Sequence, residues 1–374
     1  MIKQLGDICT FVGGGTPSKK NPDFYNGSIP WATVRDMNVR VIKTTEHSIT
    51  PDAVQQSATN IIPKGEVVIS THVGLGKVCF LGQDTAINQD LKAVIPNGEL
   101  SRRYLYYWFI SKADELIANG KGATVKGVTL DFVKNLKIQV LPEREQEVVS
   151  DTLDKVNHII ELADSQVARL DQLVKSRFVE MFGDLPNSRT LADVCLIITD
   201  GTHQSPKFVE KGIPFLFVSN IVTNRLTYDA GKFIDEATYS ELIKRTPIEP
   251  GDILLSTVGS YGHPAIVQSD KRFLFQRHIA YLKPSKAVVD SVFLHGVILS
   301  SNVQEQIERK VKGIAQKTLN LSEIKTIAVP LPPFALQREF AAFVAKVDKL
   351  AFAARQRRDV AKQLYRAKIQ EFFG

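Results

Sequence analysis

Cysteine is scarce. Cys9, Cys79 and Cys195 are the only three in 374 residues, and none belongs to a CxxC pair or a Cys/His cluster. That pattern argues for a reducing compartment and against structural zinc. Long apolar runs are missing as well, since no stretch approaches the ~20 residues that span a bilayer. The opening Met1-Ile2-Lys3-Gln4-Leu5-Gly6-Asp7 carries no signal-peptide pattern. The expectation is a cytoplasmic chain with no membrane partner.

Catalytic motifs are missing too. Phe11-Val12-Gly13-Gly14-Gly15 fits the F-x-G-x-G loop of methyltransferases, but the run before it is short and no acidic partner follows a second strand. Leu331-Pro332-Pro333-Phe334 lacks the Asn or Asp that amino-methyltransferases place before Pro-Pro. Gly13 to Lys20 does not meet the spacing of a phosphate loop. His72, His203, His263 and His278 stand in or beside loops without a paired nucleophile, and no carboxylates cluster at nuclease or metal spacing. The reading is a chain with no catalytic residue, no metal and no cofactor of its own.

What is present is ordinary in bulk, with 44% hydrophobic and 23% charged residues. The length allows two or three cores. A net charge of +7 tilts towards a polyanionic partner. The distinctive stretch is 143–183, which contains no Gly or Pro before Gly183. Apolar residues recur there in steps of four and three: Val149, Leu153, Val156, Ile160, Ala163, Val167, Leu170, Val174, then Arg177 as a polar break and Met181. A 3.5-residue repeat predicts a long helix that packs along its length on another. The same frame returns 191 residues later at Phe340, Val344, Val347, Ala351, Ala354, Arg358, Ala361, Tyr365, Lys368 and Phe372. These two segments are read as a pair of spacer helices.

The globular segments before each helix also repeat. Leu5-Gly6-Asp7-Ile8-Cys9 is answered by Leu191-Ala192-Asp193-Val194-Cys195, and Ile29-Pro30-Trp31 by Ile213-Pro214-Phe215. Lys64-Gly65-Glu66-Val67-Val68-Ile69-Ser70-Thr71 returns as Pro250-Gly251-Asp252-Ile253-Leu254-Leu255-Ser256-Thr257. Short strands broken by Gly/Pro turns, with helix entering late at 103–117, predict a mixed, β-rich domain in each half. The expected blocks are a domain over 1–142, a helix over 143–183, a second domain over 184–333 and a second helix over 334–374. Turn residues and apolar positions repeat, while the polar content of the loops varies.

Those loops carry the candidate contacts to DNA, because Lys and Arg suit phosphates while Arg, Asn and Gln suit base edges. The glycine loop offers Thr16, Ser18, Lys19 and Lys20, and its counterpart Thr202, His203, Ser205 and Lys207. Arg35 follows the next strand, as do Ser219 and Asn220 in the second half. Then come Thr71, His72 and Lys77, matched by Thr257, Ser260 and Tyr261; next Asn88 and Gln89, matched by Gln276, Arg277 and His278. Last are Lys121, Thr124 and Lys126, matched by Lys312, Gln316 and Lys317. Any one of these taken alone is ordinary solvated surface, and the signal lies in two sets of loops.

Gly15-Thr16-Pro17-Ser18, Ile29-Pro30-Trp31, the Pro63-to-Ser70 turn and strand, Asn88-Gln89, Pro250-to-Ser256 and Leu331-Pro332-Pro333 with Gln337 resemble the specificity (S) subunit of type I restriction–modification systems. The likeness covers essentially the whole chain. His203-Gln204 departs from Thr-Pro in the second loop, and Gln276-Arg277 from Asn-Gln. The resemblance implies an α+β fold with two duplicated target recognition domains, separated by two long helices in an antiparallel coiled coil with pseudo-two-fold symmetry. It implies a non-catalytic subunit that reads an asymmetric bipartite site on double-stranded DNA. Its partners would be two methyltransferase (M) subunits, holding S-adenosylmethionine for adenine-N6 methylation, and restriction (R) subunits using ATP and Mg. Arg169, Lys175, Arg355 and Arg357 on the outer helix faces are candidate partner surface. The competing readings are a coiled-coil scaffold for proteins and a stand-alone DNA-binding protein.

Overall fold

The computed structural model describes residues 1–122, 126–313 and 317–374. The chain divides into two compact units, Met1–Asp164 with Gln356–Gly374, and Ser165–Arg355. Each unit combines a globular part with half of each of two 40-residue helices, Glu143–Phe182 and Phe334–Phe373.

In the first unit a five-stranded sheet runs in the order Cys9–Gly13, Leu91–Pro96, Val67–Ser70, Val78–Leu81, Val41–Ile42. A four-stranded sheet lies beside it in sequence, ordered His47–Ile49, Ile29–Ala32, Thr85–Ile87, Ile61–Ile62. The second unit repeats the scheme with Cys195–Asp200, Ile279–Pro284, Ile253–Ser256 and Pro264–Ile266, and with Phe233–Ile234, Ile213–Leu216 and Leu274–Phe275. Even the sense of pairing is kept: Ile29–Ala32 runs parallel to Thr85–Ile87, as Ile213–Leu216 does to Leu274–Phe275. Val67–Ser70 and Ile253–Ser256 are wholly buried, which explains why they read as unbroken apolar runs. Gly65 and Gly251 open these strands at φ +85° and +96°, a backbone that side chains other than glycine resist.

The helices form as predicted from an uninterrupted helical sequence. Glu143 and Glu145 favour the first N-terminus, and the chain leaves the helix at Gly183, whose N–H reaches Val179 O at 2.8 Å. Within the first unit Asp164 meets Arg358, while Val149 and Leu153 share a core with Tyr365, Ile369, Phe372 and Phe373. Within the second, Arg177 reaches Glu339 and Phe178 and Phe182 pack on Phe340. In both units the two helix segments therefore run antiparallel.

Of the seam positions, Val149, Leu153, Val156, Phe340, Val347 and Ala354 are buried, and Ile160, Val167, Leu170, Val174, Val344 and Tyr365 are half-buried. The frame differs near residue 177. Phe178 and Phe182 enter the core, while Arg177 stays at its edge with Glu180 and Glu339, and Met181 is only half-buried. A straight α-helix drifts about 20° per heptad from a strict 3.5 repeat, and Arg177 lies four heptads beyond Val149, so the drift of about 80° there approaches the roughly 100° between successive residues and brings Phe178 to the seam.

The same contacts tie helix to domain in both units. Phe182 meets Phe293 at 4.9 Å between ring centroids, and Phe373 meets Tyr104 at 5.2 Å. Gln146 and Gln337, each 1% exposed, stand in the first turn of their helices. Gln146 donates to Leu141 O at 2.8 Å and Glu99 O at 2.9 Å and accepts from Ser101 N at 2.8 Å. Gln337 donates to Pro332 O at 2.9 Å and accepts from Asp290 N at 2.9 Å. Arg40 and Arg225 complete the set. Arg40 pairs with Asp154 and lies over the rings of Phe80, Tyr106 and Tyr107. Arg225 pairs with Asp348 at 3.0 Å. Among the described residues no helix is long and apolar enough to cross a membrane.

Candidate nucleic-acid interface

In each unit the loops singled out by the repeat meet along one line of backbone hydrogen bonds. In the first unit Gly15 N donates to Ile87 O at 3.0 Å, which holds the glycine loop against the segment entering Asn88-Gln89. Thr71 N donates to Asp90 O at 2.9 Å, and Val128 N to Thr71 O at 2.9 Å. Lys121 and Gly127 exchange both backbone bonds and close the basic loop on itself. In the second unit Thr202 N donates to Phe275 O at 3.0 Å and Arg277 N to Thr202 O at 3.1 Å. Thr257 N donates to His278 O at 3.0 Å, Leu319 N to Thr257 O at 2.8 Å, and Gly259 N to Lys317 O at 3.2 Å. Four loops distant in sequence thus become neighbours, in the same order, twice.

Glycine is required in the first loop for packing. A Cβ on Gly14 would stand 2.1 Å from Ile87 O, and one on Gly201 2.3 Å from Phe275 O. The sequence reading of a turn-forming loop is thereby given a cause, close backbone approach.

Many candidate side chains point to solvent: Thr16, Ser18, Lys19, Lys20, Arg35, His72, Gln89, Lys121, Lys126, His203, Ser205, Lys207, Ser219, Ser260, Arg277, Lys312 and Lys317 are exposed. Thr202, Tyr261, Gln276 and His278 are half-buried. Others are turned inward and work on the loops themselves. Thr71, Asn88, Thr257 and Asn220 are buried, and Asn220 accepts from Phe217 N at 3.0 Å and donates to Asp229 O at 2.9 Å. Lys77 is held by Asn38 Oδ1 at 2.7 Å. Arg35, Ser219 and Asn220 sit on a separate short turn after the strand, away from the hydrogen-bonded line. Thr124 and Gln316 lie outside the described residues.

The two basic loops differ in how their cations are engaged. Lys312 pairs with Glu323 at 2.8 Å, and Lys317 with Glu308 at 2.7 Å, next to the Tyr261 hydroxyl at 3.2 Å. Hydrogen bonds from Lys317 and Tyr261 hold the Glu308 carboxyl below its ordinary value. Among the described residues Lys121 and Lys126 have no ion-pair partner.

The second unit also has a polar cleft of about 500 Å3, lined by Asp200, Thr257, Arg277, His278, Asn320 and Ser322 among others. Asp200 accepts from Arg245 and lies 2.9 Å from His203 Nε2. Burial, and then the Arg277 charge, hold the His278 pKa below its usual value. Sequence reasoning missed Asp200 and Arg245. The repeat gave no signal for this pair, since in the first unit the glycine loop is reached by a different bond, from the Asn60 amide to the backbone carbonyl of Gly13 at 2.8 Å. It also missed Lys92, whose ammonium donates to Gln89 O at 2.9 Å and whose pKa is lowered by burial. Among the described residues no three His, Cys, Asp or Glu side chains gather as metal ligands.

This duplicated arrangement of loops was compared with known proteins. The family model for the type I restriction modification DNA specificity domain matches twice, over residues 1–172 and 187–362. The chain belongs to that family. Family members named among its relatives are specificity subunits, the non-catalytic, DNA-recognising subunits of type I restriction enzymes, and DNA sequence recognition is the role of this chain. It is 24% identical to the MjaIX specificity subunit of Methanocaldococcus jannaschii, over 92% of this chain and 85% of that protein. It is 32% identical to the EcoR124I/EcoR124II specificity subunit of Escherichia coli, over 49% of this chain and 47% of that one. The solved S subunit of a type I system from M. genitalium superposes with a TM-score of 0.58 at 15% identity, covering 100% of this chain and 96% of that one. A second solved chain, from a study of complex assembly in a type I system, gives 0.56 at 18%, covering 100% and 97%. The specificity fold, two recognition domains and two long helices, is thus shared.

Proposed function

We propose that the two recognition domains each read one half of an asymmetric bipartite site on double-stranded DNA, and that the chain docks two methyltransferase (M) subunits. The observation that carries this reading is the hydrogen-bonded line of loops, built twice on one scaffold with different exposed side chains. Equal scaffolds give two equivalent reading heads; unequal side chains give two different half-sites. Positioning by phosphate contacts and selection by base edges divide the work among the loop residues.

The long helices support the docking of two copies of one partner. Ile159 and Leu350, and likewise Leu173 and Leu364, occupy equivalent positions and are exposed, at 46%, 55%, 48% and 44%. Exposed apolar positions that recur along a helix favour a protein partner. Arg169, Lys175 and Arg357 are exposed on the same helices and add charge to that surface. The M subunits would bring S-adenosylmethionine and methylate adenine N6 in a flipped-out base. Restriction (R) subunits, with ATP and Mg, would complete the nuclease; this chain supplies no cofactor.

The test is co-expression with the cognate modification subunit, followed by single-molecule sequencing of host DNA for N6-methyladenine. Methylation confined to one bipartite motif, and lost when this chain is omitted, is expected. Methylation that persists without the chain, or follows no motif, would overturn the reading.

A further inference from the structure

The central loops occupy one place in both units. Asn88 N donates to Ala32 O at 3.0 Å, and Gln276 N to Leu216 O at 3.1 Å. On the far side, the Asp90 and His278 carbonyls accept from Thr71 N and Thr257 N. These matched bonds make Gln89 and Arg277 equivalent positions, each between the glycine loop and the loop after the buried strand. Both side chains are exposed.

Arg277 differs from three other cations of its unit, Arg245, Lys312 and Lys317. Arg245 is paired with Asp200, Lys312 with Glu323 and Lys317 with Glu308. Among the described residues Arg277 has no ion-pair partner, although it lines the same polar cleft as Asp200. Its backbone is pinned, since its N–H donates to Thr202 O. An arginine whose main chain is fixed and whose guanidinium has no ion-pair partner among the described residues presents a rigid fork of donors. That fork matches the two major-groove acceptors of guanine, O6 and N7, whereas the donor and acceptor of a glutamine amide match adenine.

We propose that Arg277 is a specificity-determining residue, reading one guanine of the half-site taken by the second domain. The proposal rests on the reading that each domain takes one half-site. It assigns one letter to one side chain at the centre of the loop line.

The test compares wild-type chain, Arg277→Gln and Arg277→Lys, each co-expressed with the modification subunit, by sequencing methylated motifs and by measuring duplex binding against salt. Arg277→Gln installs the residue found at the equivalent Gln89. It is expected to change or relax one base pair in one half-site, with discrimination for guanine there falling roughly 5- to 150-fold, the range for a bidentate contact. Arg277→Lys keeps the charge but loses the fork, so the salt slope stays and the guanine preference falls. An unchanged motif in both variants overturns the proposal. If the motif is unchanged and Arg277→Gln lowers the salt slope by about 0.9, Arg277 contacts phosphate instead. A wild-type complex with no bipartite motif overturns the underlying function as well, which separates the two failures.

Discussion

Gln146 offers a quantitative test of how each helix is fastened to its domain. Its amide serves three backbone groups at once: the Ser101 N–H and the carbonyls of Leu141 and Glu99. Gln146→Leu keeps the volume and strands all three. A buried N–H without a partner costs about 1–3 kcal/mol, and carbonyls with a second lone pair somewhat less. Glu99 is at the surface, so water can serve its carbonyl. The expected loss is therefore about 3 kcal/mol. For a domain of roughly 150–250 residues each kcal/mol lowers Tm by about 2–4 °C, so the shift is roughly 6–12 °C. Gln337→Leu should cost less, because its bond to Val288 O is long at 3.4 Å. Calorimetry measures the loss. Hydrogen exchange at Ser101 localises it, because this amide should lose protection before its neighbours in the helix Arg102–Ser111. A loss under about 0.5 kcal/mol with unchanged Ser101 exchange would refute the reasoning.

Other expectations follow from the same geometry. Burial raises the Asp154 pKa, but the Tyr107 hydroxyl and the Arg40 and Arg103 guanidinium groups more than offset it, leaving the net shift downward. Its stabilising effect is present above the unfolded carboxylate pKa and is lost as pH falls through the lower folded one. Asp154→Asn should thus flatten the acid limb of stability between about pH 4 and lower values, and an unchanged limb would sink this account. Lys121→Ala with Lys126→Ala should reduce the salt slope of DNA binding by up to about 0.9 per lost phosphate contact, more than the Lys312/Lys317 pair held by carboxylates; equal effects, read by anisotropy at several salt concentrations, would count against it. Gly65→Ala meets open space and should cost only the strain of its positive φ, about 1–2 kcal/mol, whereas Gly14→Ala must displace the Ile87 carbonyl and should cost more by urea titration. Burial pushes the thiols of Cys9, Cys79 and Cys195 up to about 12, so a thiol reagent should label none of them before unfolding.

The repeat was legible because it is written in local chemistry. Gly65 and Gly251 mark the same positive-φ turn, and Val67–Ser70 and Ile253–Ser256 the same buried strand. The seam was legible until helical drift put Phe178 where a strict heptad placed Arg177. Pairing between distant side chains was not legible. Nothing local tells that Glu323 takes Lys312, or that Arg245 crosses to Asp200 over 45 positions of sequence. Asn220 illustrates the same limit: its amide suits an adenine, but the fold spends it on a loop 9 residues away.

The two units differ in how the ribosome delivers them. Ser165–Arg355 is one continuous stretch, so its core can close as soon as that stretch has emerged. Met1–Asp164 is made first yet lacks Tyr365, Ile369, Phe372 and Phe373 until Gln356–Gly374 arrives, close to two hundred residues later. At about 5–20 residues per second that is a delay of roughly 10–40 s. During it Val149 and Leu153 lack the part of their core that the C-terminal helix supplies. The domain synthesised first is the one completed last, and its incomplete core is where a chaperone, or an untimely partner, would find the nascent chain.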